Sequence, residues 1–118
     1  IACNEDHVLP VDEWTIPGAG AIVASLIKST GFKPVFVAGK PNTYLADIVM
    51  SSFNVPRDSI LVVGDRCDMD VVFARNANID SLLVLTGVST VEDARLYKPT
   101  YVVEDLLDFI KCYGGLRV

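Results

Sequence analysis

From residue 34 onward, short apolar runs alternate with segments of helical period, and nothing else in the chain restricts its fold as much. Residues 34–38, 60–63, 81–85 and 100–103 read as strands. Residues 42–53, 68–78, 91–96 and 104–113 read as helices. The strand runs are continuously apolar, the pattern of strands covered on both faces, and the 51% apolar content and mean hydropathy of +0.40 agree with that. Strands separated by helices demand crossover connections, so the expected architecture is α/β: a parallel sheet flanked by helices, part of a three-layer sandwich. Ahead of this, residues 1–3 read as the end of a strand and residues 4–15 as a polar loop containing Pro10. Ile16-Pro17-Gly18 leads into a helix over residues 19–29, with Gly31 at the position of a left-handed cap. In a parallel sheet all carboxyl ends open on one edge. The loops Gly39-Lys40-Pro41, Gly64-Asp65-Arg66 and Gly87-Val88-Ser89 are therefore expected on one rim, where such sheets bind ligands.

A net charge of −5 and a pI near 4.6 argue against a nucleic-acid partner, because neutralising phosphates needs clustered Lys and Arg. A phosphate-handling site remains open, since its charge needs are local. The longest apolar stretch, residues 19–27, is too short to span a bilayer, so no membrane partner is expected. Cys3, Cys67 and Cys112 have neither metal nor redox spacing, and a reducing cytoplasm is the expected setting. No basic segment with a cleavage site opens the chain, and its first residue is Ile1 rather than Met; the expectation is that the native start lies upstream.

The run from Ile60 to Asp70 delivers three carboxylates, Asp65, Asp68 and Asp70, within six residues where a strand gives way to a helix. Two readings stand. Clustered acids repel and call for a compensating cation, and a hard divalent ion takes oxygen ligands of this kind. Alternatively Asp68 caps the helix and Asp70 complements its dipole, which leaves Asp65 without an account. Lys40, between Gly39 and Pro41, is either a solvated loop lysine or a point charge for a phosphate oxygen.

Taken together, Gly39-Lys40-Pro41 and, 25 residues after Lys40, Val63-Gly64-Asp65-Arg66-x-Asp68-x-Asp70 resemble motifs three and four of the haloacid dehalogenase (HAD) superfamily. The likeness is to the branch with a large cap inserted before motif three, which includes p-nitrophenyl, phosphoglycolate and pyridoxal phosphatases. Ile1-Ala2-Cys3-Asn4-x-Asp6, Pro17-Gly18-x-Gly20 and residues 83–89 also resemble that branch, with Cys3 and Met69 where it usually has Thr. The resemblance implies a partial HAD-like (Rossmannoid) core over residues 17–118, preceded by the end of the cap and a linker over residues 1–16. It implies Mg2+ as cofactor, with Asp65 a direct ligand and Asp70 and Asp68 supporting it. Lys40 would be the catalytic cation, Asn4 and Asp6 would lie against the substrate, and a small phosphate ester would be the partner. The branch is often dimeric, so a homo-oligomer is possible.

The family attacks phosphorus with the first Asp of an Asp-x-Asp-Gly motif. The only Asp-x-Asp here, Asp68-Met69-Asp70, is followed by Val71 and belongs to motif four. The resemblance therefore implies the carboxy-terminal portion of a phosphomonoesterase whose nucleophile lies outside the chain. On that basis this portion alone is expected to bind magnesium weakly and to turn nothing over. The alternative is a truncated, inactive form or fused module serving as an interaction domain. A receiver-like or nucleotide-binding module ranks last, since no Gly-rich phosphate loop follows a strand.

Overall fold

The computed structural model describes residues 1–112, so the predicted helix end at Tyr113 and the tail after it lie outside the described residues. Strands β3 (Leu61–Gly64), β4 (Asp80–Val84) and β5 (Tyr101–Val103) form a parallel sheet in the order β3-β4-β5. Helices α3 (Val72–Ala77) and α4 (Val91–Tyr97) lie between them in sequence, and α5 (Leu106–Cys112) follows. This is the expected α/β architecture. Leu82 and Leu83, neighbours on β4 and hence on opposite faces, are both fully buried, so the central strand is covered on both sides. One apolar cluster joins α2 (Tyr44–Phe53) and α3 through Ala46, Phe73, Ala77 and Ile79; the other joins Cys67, Val71, Leu83 and Ala94.

The chain before α2 differs from the sequence expectation in two places. Residues 4–15 are not simply a loop: β1 (Val8–Val11) and β2 (Trp14–Pro17) pair antiparallel, Val11 opposite Trp14. The two-residue turn between them has Asp12 in the left-handed region, which Asp tolerates. Pro10 fits because a two-stranded ribbon has only edge positions. Residues 34–38 and 1–3 meet at a single parallel bridge, Ala2 with Val37, rather than as full strands. Ala2 N–H donates to Phe36 O at 2.9 Å and Ala38 N–H to Ala2 O at 3.0 Å. Helix α1 (Ala19–Thr30) closes on Gly31 in the left-handed conformation, as the sequence anticipated, but buries none of its residues.

The predicted helix over residues 68–78 is two pieces. Cys67–Val71 is a wide π-helical turn that runs into α3. The widening follows from Arg66, whose carbonyl accepts from both Asp70 N–H at 2.7 Å and Val71 N–H at 3.4 Å. It turns the Asp70 side chain inward, where it is only 6% exposed.

Candidate functional site

The carboxyl end of β3 carries Gly64 and Asp65, and three loops converge on it. Lys40 Nζ reaches Asp70 Oδ1 at 2.5 Å, a contact spanning 30 residues of sequence. The other Asp70 oxygen accepts from Arg66 N–H at 3.0 Å. A buried carboxylate needs such partners, and here one is a cation and one a backbone donor. Gly64 is required at this point, because a Cβ there would collide with the Asp70 carboxylate.

Asp65 is held from the opposite side. Its Oδ2 accepts from Val88 N–H at 2.9 Å and its carbonyl from Ser89 N–H at 3.0 Å. The buried Ser89 hydroxyl in turn accepts from Cys67 N–H at 2.8 Å, which fixes the start of the π turn. A Cβ on Gly87 would overlap the Asp65 carboxylate, so that glycine exists for close approach. Burial pushes the Cys67 thiol above its ordinary range, opposed in part by its hydrogen bond with Ser89.

Asp68 is bound to Arg66: both its oxygens accept from the guanidinium, at 3.1 and 2.7 Å, and that hydrogen bonding holds the carboxyl below its usual range. The Arg66 guanidinium is correspondingly raised, first by the bond to Asp68. Its third contact is Asp6 Oδ1 at 2.6 Å. Asp6 N–H is capped by Asn4 Oδ1 at 3.0 Å, and a Cβ on Gly39 would stand 2.8 Å from Asn4 Cβ. Asn4, Asp6, Asp68, Asp70 and Lys40 are thus joined in one run of contacts through Arg66, while Asp65, next to Arg66 in the chain, is tied to Val88 and Ser89.

Among the described residues, Asp65 Oδ1 accepts no hydrogen bond, whereas both oxygens of Asp68 and of Asp70 are engaged. One open carboxylate oxygen suits a hard divalent cation, which usually takes one or two protein carboxylates and completes its shell elsewhere. No three His, Cys, Asp or Glu side chains among the described residues converge closely enough to hold a metal ion by themselves. Of the three carboxylates, Asp65 alone thus keeps an oxygen of the type such a cation takes, and further ligands would be needed.

Sequence reasoning placed Arg66, Gly87 and Ser89 in rim loops but gave none of them a role. Their positions in loops that strand topology sends to the rim were the available signal; their bonding partners were not.

Residues 37–109, well over half of the chain, match the family model described as HAD-hydrolase-like. The chain belongs to that family. The chain is 37% identical to phosphoglycolate phosphatase 2 of Arabidopsis thaliana, an alignment covering 94% of this chain and 38% of that protein. The crystal structure of a 4-nitrophenylphosphatase from Thermotoga maritima superposes with a TM-score of 0.85 at 40% identity, over 92% of this chain and 42% of the other. A glycerol phosphate phosphatase from Mycobacterium tuberculosis, solved with magnesium, gives 0.79 at 40% identity, over 88% and 32%. The chain therefore spans about a third to two fifths of the length of these relatives. No described helix is long and apolar enough to cross a membrane.

Proposed function

We propose that this chain is the carboxy-terminal portion of a magnesium-dependent phosphomonoesterase resembling p-nitrophenyl phosphatases, acting on a small phosphate ester in the cytoplasm. The observation that carries the reading is the meeting of Lys40 with Asp70 at 2.5 Å, in the loop that begins with Asp65, whose Oδ1 accepts no hydrogen bond among the described residues. Lys40 offsets the negative charge that develops on the transferring phosphoryl group, and Asp70 holds its ammonium in place. Asp65 supplies the open oxygen to magnesium, Asp70 and Asp68 support the site from outside, and Asn4 and Asp6 border the substrate's leaving group. Bound magnesium would polarise the phosphoryl oxygens and neutralise their charge. The attacking carboxylate comes from outside this chain; it forms the aspartyl-phosphate as the ester P–O bond breaks, and water then cleaves the acyl phosphate.

The test compares the 118-residue chain with a longer protein that contains it together with an upstream Asp-x-Asp-Gly motif. The longer protein should hydrolyse p-nitrophenyl phosphate only with magnesium, and Asp65→Asn should lower turnover by about a hundredfold or more. Hydrolysis by the short chain alone, or full activity of Asp65→Asn, would overturn the proposal. An inactive interaction module is the second reading, favoured by the exposed edge strand β3, where Val63 is 46% exposed, and by the bare face of α1. A mass measurement placing the native start near Ile1 would select it. The three free cysteines are what supports the cytoplasmic setting.

A further inference from the structure

Arg66 binds more of the rim than any residue to which the phosphatase reading gives a role. Its guanidinium takes Asp6 at 2.6 Å and Asp68 at 2.7 and 3.1 Å, and its own N–H takes Asp70 at 3.0 Å. Asp70 in turn holds Lys40. Asp6 is itself tied to the first third of the chain, since its carbonyl accepts from Gly20 N–H at 2.7 Å at the start of α1. Among the described residues, Arg66–Asp6 is the one ion pair that crosses between residues 1–36 and the sheet region. The guanidinium is mostly shielded, with 18% of its side-chain surface exposed. Beside it a cavity of about 400 Å3 separates His7 and Val8 of the hairpin segment from Val88 and Tyr97 of the sheet region, so packing there is incomplete. Where packing is incomplete, polar links carry the alignment.

We propose that Arg66 is a positioning residue: a fork that registers the segment bearing Asn4 and Asp6 against the Asp65–Asp70 loop. A planar guanidinium can hold two carboxylates in fixed directions at once, which a lysine ammonium does far less well. Removing its charge frees Asp6 and Asp68 together, leaving two unpaired carboxylates beside a site meant for an anion, and loosens the hairpin segment. This rests on the phosphatase reading for its consequence but not for its geometry.

Amide hydrogen exchange on the 118-residue chain tests it. Arg66→Gln and Asp6→Asn should each speed exchange of the protected hairpin and Gly20 amides by about tenfold while β4 amides keep their rates. The double variant should be no faster than either single one, and Arg66→Lys should restore only part of the protection. Unchanged hairpin exchange in Arg66→Gln overturns the proposal, as does equal acceleration in β4, which would mark general destabilisation. Magnesium-dependent hydrolysis of p-nitrophenyl phosphate by a longer protein containing this chain separates the two readings. Its absence counts against the phosphatase reading alone, whereas the exchange rates judge Arg66.

Discussion

Helices α1 and α3 both carry an apolar side, yet α3 buries Phe73, Ala74 and Ala77 while α1 buries nothing. Helix α3 follows directly from the loop that ends β3 and packs against β4, whose Leu82 and Leu83 are completely enclosed. Helix α1 has Ile22 64% exposed and Leu26 58% exposed, and it contacts chiefly the hairpin. An amphipathic helix announces that it needs a partner surface; only the rest of the fold supplies one. The two regions also differ in how they are tied down. The sheet region is held by apolar burial with hydrogen bonds inside it, and the first third largely by backbone contacts and one ion pair.

Three measurements would break or sharpen this contrast. The largest effect belongs to Leu83→Ala, which should cost about 3 kcal/mol in denaturant unfolding, whereas Leu26→Ala should stay within about 0.5 kcal/mol. Comparable losses at the two sites would erase the distinction between the regions. Next, Gly87→Ala forces a methyl group into the Asp65 carboxylate and should cost about 2 kcal/mol, with the Val88 amide resonance shifting as its bond to Asp65 is disturbed. An unperturbed Val88 amide would show that the rim is looser than described.

The smallest effect is an acid step. Arg66 depresses the Asp68 carboxyl, so its contribution is complete above the unfolded carboxylate range near ~4 and disappears as pH falls through the lower folded value. Because Asp68 is 46% exposed, solvent screening keeps this to about 1 kcal/mol or less. Carbon-detected titration of Asp68 checks the sign: its midpoint should rise in Arg66→Gln. A midpoint that stays put would remove Arg66 as the cause.

Much of this could be read from residues 34–112. The strands at 60–63, 81–85 and 100–103 were legible within a residue because their apolar runs are bounded by Gly, Asp and Thr. The shared rim followed from strand direction alone. The hairpin was not legible: its strands are short, exposed at every residue and, in β1, interrupted by Pro10, so they carry no burial pattern. The π turn was equally hidden, because a helical period cannot reveal that the Arg66 carbonyl accepts two donors.

Local order along the chain therefore determined the α/β alternation, the edge on which the loops gather and the chemical types waiting there. Tertiary structure alone decided the pairings: Lys40 with Asp70, Asp65 with the Val88 amide, Asp68 and Asp6 with Arg66. The reason is geometric. Propensity and periodicity act over a few neighbouring residues, whereas the Asp6–Arg66 contact is 60 positions apart and exists only once the first third has docked against the sheet region.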